Sequence, residues 1–477
     1  MSEFESAANT KKIVLGVVVL AVVIGGTVIG MSLIGGGPTG PPGKALTILT
    51  RHDVSIQSVF RSAFLNSDFA KANHITEITW KTSTGEFWDE LIAAGGIDVC
   101  WGGGPTLFDQ LLRDGRLAPL TSPLMTAALA RVNNTLAGAD MKRNNTLGQT
   151  MWVAAAISSF GFIVNHAFLD EYQLPVPHKW TDLANATYGK LLPTIPTLAM
   201  GNAPGTTSNT RIYEIITQAL GWDDGWITMA RMAGSARIYP GSVETQTAAE
   251  TGQVGVAMAI DFYGYLSQSK NPDCEYIIPQ GQTIVNGDPI AIPFNAPNMT
   301  LSEGFLDWMF MPETQALWLN PNIMRMPVMR EAFDTPYGST KTTLYATFNQ
   351  TVQNTGIDFN DTLSVLTNTA FTKYFEAVFT DAHNELVSCW DLMVDALLAG
   401  HISEAEFNSF AIQMGTPVTI VDPKSSLSRK FTVQYAIDMN SDMISDPTYA
   451  EQVQNLWTTA AKAQYAAVYA AVDALVP

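Results

Sequence analysis

The sequence predicts an α/β fold with a parallel sheet, because strand and helix patterns alternate at the start of the body. Three short runs, Leu46–Thr50, Ile75–Trp80 and Ile97–Trp101, are rich in the apolar and β-branched residues typical of strands. Apolar residues at helical spacing fill the two intervals, Ser55–Phe69 and Gly85–Ala94. The alternation implies parallel strands joined by right-handed crossovers, and in such folds ligands bind beyond the carboxyl ends of the strands.

The third strand ends in the turn Gly102-Gly103-Gly104-Pro105, and an amphipathic helix pattern follows directly. Three glycines allow a sharp turn and leave backbone amides exposed at the start of a helix. The amides of Gly103 and Gly104 are therefore candidates for holding an anionic group, and a plain connection is the alternative. Neither a Lys-Ser/Thr pair nor a dinucleotide spacing follows, so the turn does not predict a nucleotide site.

Polar and aromatic residues at two of these strand ends are candidates for ligand contact. His52 and Asp53 follow the first strand; the alternative is that Asp53 caps the next helix while His52 lies at the surface. Trp101 ends the third strand and is a candidate for stacking on a ligand, with a core position as the alternative.

A second strand–loop–helix unit follows in the middle of the chain. Trp152–Asn165 reads as a long apolar strand, and its Ser159 is either a ligand contact or a buried, satisfied hydroxyl. A strand over Leu191–Ala199 leads through a polar loop to a helix over Arg211–Leu220. The hydroxyls near this helix start either bind phosphate or carboxylate or simply cap the helix; they are Thr206, Thr207 and Ser208.

The later part of the body adds two strands and a helix. Asp261 and Tyr263 follow a buried strand over Val254–Ile260 and are expected to close the other side of a binding site. A strand over Ile290–Phe294 and a helix over Leu301–Leu319 complete this part. After about residue 335 the patterns are mainly helical, over 363–379, 384–398, 404–412 and 449–474, and carry no motif for chemistry.

Composition excludes some classes of function. The net charge is −18, with 26 basic and 44 acidic residues, which argues against nucleic acid or anionic lipid as the main partner. Only three cysteines occur and none are in a Cys-x-x-Cys spacing, so neither a zinc site nor a disulfide framework is expected. No Gly-x-Ser-x-Gly and no His-Glu-x-x-His motif is present, so catalytic residues are not expected.

The N-terminal region predicts an anchor. Residues 13–34 carry no charge and are long enough to span a bilayer, while the lysines before them place residues 1–12 in the cytoplasm; a cleaved signal peptide is the alternative. Residues 35–44 form a Gly/Pro linker. An exterior body agrees with six candidate glycosylation sequons, at Asn133, Asn144, Asn185, Asn298, Asn349 and Asn360.

Several stretches in this order over residues 45–335 resemble the extracellular solute-binding proteins of ABC importers, in the group related to ferric-iron, thiamine and phosphonate binders. The stretches are Thr50–Asp53, Asp98–Asp109, Ser158–Gly161 with Asn165, Pro177–Leu183, Gly221–Trp226, Asp261–Tyr263, Asn295–Asn298 and Arg325–Val328. The resemblance implies a two-lobed, type II periplasmic-binding-protein-like fold that traps ligand by hinge closure. Lobe 1 is then 45–155 with 290–335, lobe 2 is 156–289, the crossing strands lie near 154–159 and 287–292, and 336–477 is a helical extension.

The resemblance also implies a function. The protein is expected to capture a small-molecule or metal ligand and deliver it to an ABC permease, without a cofactor. The alternative is a structural, assembly or sensory surface protein that reuses the fold and self-associates through its C-terminal helices. Ligand chemistry stays open, because acids with aromatics suit a cation whereas helix starts suit an anion. In the ferric-binding members that the sequence resembles, neighbouring tyrosines with a histidine hold the metal; Tyr263 and Tyr265 are separated by a glycine, which disfavours iron. Arg325 is expected to form a buried pair that holds lobe 1, rather than to touch ligand.

Overall fold

The computed structural model describes residues 43–83, 85–354 and 356–477. The expected membrane segment, residues 13–34, lies outside the described residues, as do residues 1–12 and the linker up to residue 42. Over the described residues, no helix combines the length and apolar character needed to cross a bilayer.

Eleven strands of the described chain form one mixed sheet, ordered β2-β1-β3-β12-β7-β10-β8-β9, with β6, β11 and β13 also paired to β7. The parallel pairing of β1 with both β2 and β3 confirms the predicted α/β arrangement. The strands are β1 (Lys44–Thr50), β2 (Ile75–Thr82), β3 (Val99–Trp101), β4 (Thr135–Leu136), β5 (Ala139–Asp140), β6 (Lys142–Asn144), β7 (Thr150–Asn165), β8 (Leu198–Gly201), β9 (Ala236–Tyr239), β10 (Val256–Ile260), β11 (Cys274–Ile277), β12 (Val285–Ala291), β13 (Met326–Pro327), β14 (Thr419–Val421) and β15 (Ser428–Lys430).

Strand β7 connects the two halves of the sheet. It is 16 residues long and buried at every residue after Thr150. Its first half pairs antiparallel with β12, from Val153 opposite Ile290 to Ser159 opposite Val285, and its second half pairs with β10 and β11. The segments expected to cross between lobes thus lie on β7 and β12, which are neighbours. We use lobe 1 for the half built on β1–β3 and lobe 2 for the half built on β8–β10.

The helices cover both faces of the sheet and continue into the C-terminal region. They are α1 (Val54–Leu65), α2 (Asp68–Ala72), α3 (Trp88–Ala93), α4 (Pro105–Arg113), α5 (Pro123–Leu129), α6 (His166–Glu171), α7 (Thr207–Leu220), α8 (Trp222–Gly234), α9 (Ser242–Glu250), α10 (Asp261–Lys270), α11 (Met299–Met309), α12 (Pro312–Gln315), α13 (Thr342–Gln353), α14 (Asp361–Phe375), α15 (His383–Leu398), α16 (Glu404–Gly415), α17 (Val433–Ser445) and α18 (Pro447–Asp473).

Some predicted boundaries are wrong, each for a local reason. The single helix expected over 55–69 is two, because the Ser67 side chain caps α2 through the Ala70 amide. The helix expected over 301–319 ends at Met309, and Pro312 starts a separate short helix. The polar composition of residues 133–149 predicts an exposed loop, but this segment contains β4, β5 and β6, which pair too briefly to show a strand pattern in the sequence.

Two predicted strands are displaced along the chain. The strand expected over 191–199 begins only at Leu198 and pairs with β9 and β10. The strand expected over 290–294 is β12, which begins at Val285 and ends at Ala291. Gly287 and Pro289 lower the strand propensity of β12, but pairing with β7 overrides that propensity.

The C-terminal region is mainly helical, as predicted, and the four expected helices are present as α14, α15, α16 and α18. A five-residue π-helix, Glu376–Thr380, follows α14. The hairpin of β14 and β15, the helix α17 and the helix α13 were not predicted.

The C-terminal helices share the hydrophobic core of lobe 2. Trp226 of α8 lies 4.8 Å between ring centroids from Phe371 of α14. Phe431 stacks on Tyr374 at 3.8 Å and lies 5.1 Å from Trp457 of α18. All five side chains are buried. The extension therefore packs on the body, and Trp226 is one of the lobe 2 side chains that it covers.

Candidate functional site

A buried group of charged side chains lies where lobe 1 meets lobe 2. Asp288 on β12 is 4% exposed, and its Oδ2 lies 3.1 Å from His52 Nε2 and 3.3 Å from Arg325 Nη1. Arg325 Nη2 also donates to Ser158 Oγ on β7 at 3.0 Å. Burial alone would raise the pKa of Asp288, but Arg325 and His52 outweigh burial and hold this pKa at about 2. The expected buried pair of Arg325 is confirmed, whereas the surface position considered for His52 is wrong.

A second carboxylate, Asp261, begins α10 beside this group. Its Oδ2 accepts hydrogen bonds from the Ser159 amide at 2.8 Å and from Ser159 Oγ at 3.3 Å, and its Oδ1 accepts one from the Phe262 amide at 2.8 Å. Burial raises the pKa of Asp261 to about 7, although these hydrogen bonds and Arg325 oppose the rise. Neither Asp261 nor Ser159 has exposed surface, so in this conformation they join β7 to α10. Their contact with ligand stays a prediction.

Trp101 lies in the core of lobe 1. Its ring has no exposed surface and lies 4.6 Å from His52, 5.0 Å from Phe60 and 5.6 Å from Trp318, measured between centroids. The expected stacking on a ligand is not available here, because β3 is an interior strand and protein covers both of its faces. Trp101 instead packs edge to face against the His52 ring.

The three glycines of the turn differ in how closely other parts of the protein approach them. Gly102 has φ +79°, and a Cβ there would lie 2.6 Å from His52 Nε2, so no side chain fits. The Gly103 amide is among the groups that lower the pKa of the Asp288 carboxyl. Gly104 precedes α4 and has open space where a Cβ would point. Gly103 and Gly104 are both partly exposed, and contact of their amides with a ligand stays a prediction.

Asp53 of lobe 1 and Tyr263 of lobe 2 lie on opposite sides of the boundary between the lobes. Asp53 Oδ1 accepts from the Ser55 amide at 2.8 Å and from the Ile56 amide at 3.2 Å, so its capping role is confirmed. Tyr263 is half-buried on α10, and its pKa is raised first by burial and then by the charges of Asp53 and Glu244. The charges around Tyr263 are mixed, because Arg325 lowers its pKa while Asp53 and Glu244 raise it, so they do not settle the charge of a ligand here.

Hydroxyl groups gather where α7 and α9 begin. Thr206 caps α7 through the Asn209 amide, and its Oγ1 is hydrogen-bonded to Ser242 Oγ. Ser208 Oγ lies 2.8 Å from Ser242 Oγ, while Thr207 is exposed. The plain capping role of Thr206 is therefore present, and Thr207 and Ser208 are the hydroxyls that reach the surface. Two helix N-termini together favour an anionic group here.

Iron ligation by the two neighbouring tyrosines is disfavoured. Tyr265 is 3% exposed and packs against Tyr276 at 5.3 Å, so it does not share a surface with Tyr263. In the part of the chain that the structure describes, no group of three or more His, Cys, Asp or Glu is placed to hold a metal ion.

Two residues of this region, Ser242 and Asp288, were not predicted from the sequence. Asp288 carried a usable signal, since it is an acidic residue within the apolar run of β12 and a buried charge needs a partner. Ser242 carried little signal, because it follows a Pro-Gly pair and lies 34 residues from Ser208 in the chain.

A separate cavity of about 470 Å³ lies in lobe 1 between the end of α5 and the strands β5 and β6. None of the predicted ligand residues line it. Its polar lining includes Lys142, whose Nζ donates to Asn134 Oδ1 at 2.9 Å, and Arg143, which is paired with Asp109 and Asp140.

The sequon asparagines are exposed or partly exposed, and three of them are helix caps. The amide oxygens of Asn185, Asn298 and Asn360 accept from the backbone amides of Thr187, Leu301 and Leu363. The caps give these asparagines a structural role that is independent of glycosylation, which stays a prediction.

Comparison with known proteins agrees with this architecture. The GacH receptor of Streptomyces glaucescens superimposes with a TM-score of 0.54 at 13% identity, over 78% of this chain and 97% of GacH. The spermidine/putrescine-binding protein PotD of Streptococcus pneumoniae gives 0.52 at 13% identity, over 70% of this chain and 99% of PotD. At these identities the likeness establishes the fold alone, a two-lobed periplasmic-binding-protein fold.

Sequence comparison establishes the family. The phosphoglycerate transport regulatory protein PgtC of Salmonella typhimurium is 25% identical over 197 residues, which are 41% of this chain and 47% of PgtC. The chain thus matches about half the length of this curated relative. The model of the bacterial extracellular solute-binding protein family matches residues 97–354, more than half of the chain. The chain belongs to the family of bacterial extracellular solute-binding proteins, as the sequence resemblance indicated.

Proposed function

We propose that the protein captures a small polar solute between its two lobes and delivers it to an ABC permease, without making or breaking a bond. One observation carries the proposal beyond the family match. Strand ends far apart in the sequence meet where the lobes face each other. His52 lies against Gly102 and against Asp288 of β12, and Ser159 of β7 is hydrogen-bonded to Asp261. Ligands of open α/β sheets bind at the carboxyl ends of strands.

The proposed site residues form two groups, one with exposed surface and one that is buried behind it. The members with surface in this conformation are Asp53, Gly103, Gly104, Thr207, Ser208 and Tyr263. The buried members position the strand ends behind them; they are His52, Ser159, Asp261, Asp288 and Arg325. We propose that solute touches the first set directly and reaches the second when the lobes separate.

We further propose that the body works outside the cytoplasmic membrane, tethered by residues 13–34 and the linker that follows. The exterior setting fits the family description. A tethered receptor stays close to its permease, which raises their effective concentration.

A thermal-shift screen tests solute binding. The panel holds amines, thiamine-like cations, metals, phosphonates and sugar phosphates, with phosphoglycerate added because of PgtC. A solute at 100 times its Kd stabilises the protein by about 2.7 kcal/mol. Tyr263→Ala is expected to weaken binding of the hit at least tenfold. Tyr469→Ala, which changes a 40% exposed tyrosine on α18, is the matched control.

The outcomes are distinct. A hit whose affinity falls with Tyr263→Ala and not with Tyr469→Ala supports the proposed surface. Equal affinities in both variants place the ligand elsewhere, and no shift with any compound, together with a fixed oligomer, contradicts the receptor function.

A sensory role is the second candidate, favoured by the likeness to PgtC, a phosphoglycerate transport regulatory protein. Both functions require solute binding. They differ in the partner: a transporter component binds the permease, whereas a sensor binds a signalling protein, so solute uptake in a deletion strain separates them.

A further inference from the structure

The C-terminal extension makes a third connection between the lobes, in addition to β7 and β12. It leaves lobe 1 through α13, where Phe348 packs 5.3 Å from Phe333. It enters lobe 2 through α14, whose Phe371 contacts Trp226. The residues between these anchors therefore pass from one lobe to the other.

A short segment of this connection, residues 357–364, which we call the strap, lies along the boundary of the lobes. The Ile357 amide donates to the Thr283 carbonyl at 2.9 Å, directly before β12. The Asn360 amide donates to Gln218 Oε1 on α7 at 2.7 Å. The strap thus follows the boundary from the crossing strands to α7.

Asp361 of the strap joins side chains from both lobes. It forms an ion pair with Arg211 of α7, whose side chain is 9% exposed. Its Oδ1 also accepts a hydrogen bond from Thr106 Oγ1 of α4 at 3.3 Å, and Arg211 Nη1 donates to the same hydroxyl at 3.3 Å. The Phe359 ring covers Arg211, with its centroid 4.0 Å from the guanidinium carbon.

The contacts between Thr106, Arg211 and Asp361 lie beside the proposed ligand surface. Thr106 comes two residues after Gly104, and Arg211 lies one helical turn after Thr207. If α4 moves away from α7 when the lobes separate, Thr106 loses its contacts with both Asp361 and Arg211. The Arg211–Asp361 pair itself stays intact, because both of these residues move with lobe 2.

We infer that the strap is a closure device in which Asp361 and Arg211 bind Thr106 and so raise the closed fraction of the free protein, which bound solute raises further. This inference concerns the equilibrium between open and closed molecules, and it does not depend on which solute binds. It gives the C-terminal extension a role besides completing the core of lobe 2.

The test measures the distance between the lobes in the free protein. Spin labels go on Ser58→Cys of α1 and Thr247→Cys of α9, two exposed positions, while the three native cysteines are buried. Thr106→Val removes only the hydroxyl that crosses the boundary. Its control is Thr126→Val, because the Thr126 hydroxyl bonds within its own helix at 3.0 Å. Asp361→Asn is a second variant, and Glu214, 3.3 Å from Arg211, still neutralises that side chain.

Thr106→Val is expected to raise the ratio of long-distance to short-distance molecules about fivefold, as expected for the loss of two weak hydrogen bonds. Asp361→Asn is expected to shift the distribution in the same direction, and Thr126→Val to match the unsubstituted chain. Distributions that coincide for all three variants would overturn the inference. Solute affinity is measured separately, so a failure of solute binding would not be mistaken for a failure of the strap.

Discussion

Removing the charge of Asp288 is the sharpest test of the buried group at the boundary of the lobes. Asp288 is 4% exposed and lies within 3.3 Å of both His52 and Arg325. Asp288→Asn keeps the shape but leaves the Arg325 guanidinium, 9% exposed, without its counter-charge. Breaking a buried ion pair on one side costs about 3–5 kcal/mol. We expect a loss of this size in the free energy of unfolding, measured by urea titration.

The control is an exposed pair in the same lobe. Asp334 lies 3.5 Å from Arg330, and both side chains are 58% exposed. Asp334→Asn is therefore expected to leave the free energy of unfolding nearly unchanged. The reasoning is refuted if Asp288→Asn loses no more stability than Asp334→Asn.

The pH dependence of stability gives an independent check on Asp288. Its folded-state pKa of about 2 lies below the unfolded value of about 3.9. The stabilisation is therefore fully present above the unfolded pKa and is lost as pH falls toward the folded pKa. Asp288→Asn is expected to flatten the stability curve between about pH 5 and pH 2, and an unchanged acid limb would contradict the lowered pKa.

Three further predictions concern the glycine turn, Asp261 and the cysteines. Gly102→Ala should destabilise the protein more than Gly104→Ala, since both have positive φ but only the first brings a Cβ against His52; equal losses in thermal melts would contradict the crowding. Asp261 has a folded pKa of about 7, so its contribution to stability falls as pH rises from about 4 to 7. Asp261→Asn should remove that decline. A stability curve of the variant that runs parallel to that of the unsubstituted protein would contradict the raised pKa of Asp261. The three cysteines are buried and free, so DTNB should label none before urea unfolds the chain; prompt labelling would count against the packing.

The sequence was sufficient for the alternation of β1, β2 and β3 with helices at the start of lobe 1, because each of these strands has its own local pattern. The run Leu46–Thr50 alternates as a strand does, and the helix after Gly104 has a clear apolar face. The boundary of β12 was not predictable in the same way. Gly287 and Pro289 argue against a strand locally, and only the pairing with β7, far away in sequence, makes one there.

The candidate site shows the same division between local and long-range information. The positions of His52, Asp53 and Asp261 after strands were visible in the sequence, and so was the meeting of strand ends. Whether each side chain faces solvent or core was not, because burial depends on neighbours from other elements. Trp101 is the clearest case, since the ring is enclosed by Trp318 from a distant segment.

The distance between the two lobes, measured with and without solute, shows directly whether the solute is held between them. Spin labels at Ser58→Cys and Thr247→Cys report this distance, and the solute is the strongest hit of the thermal-shift screen. A solute that binds between the lobes is expected to shift the distribution toward the short distance and to narrow it. Tight binding with an unchanged distribution would contradict the claim that the solute is held between the lobes.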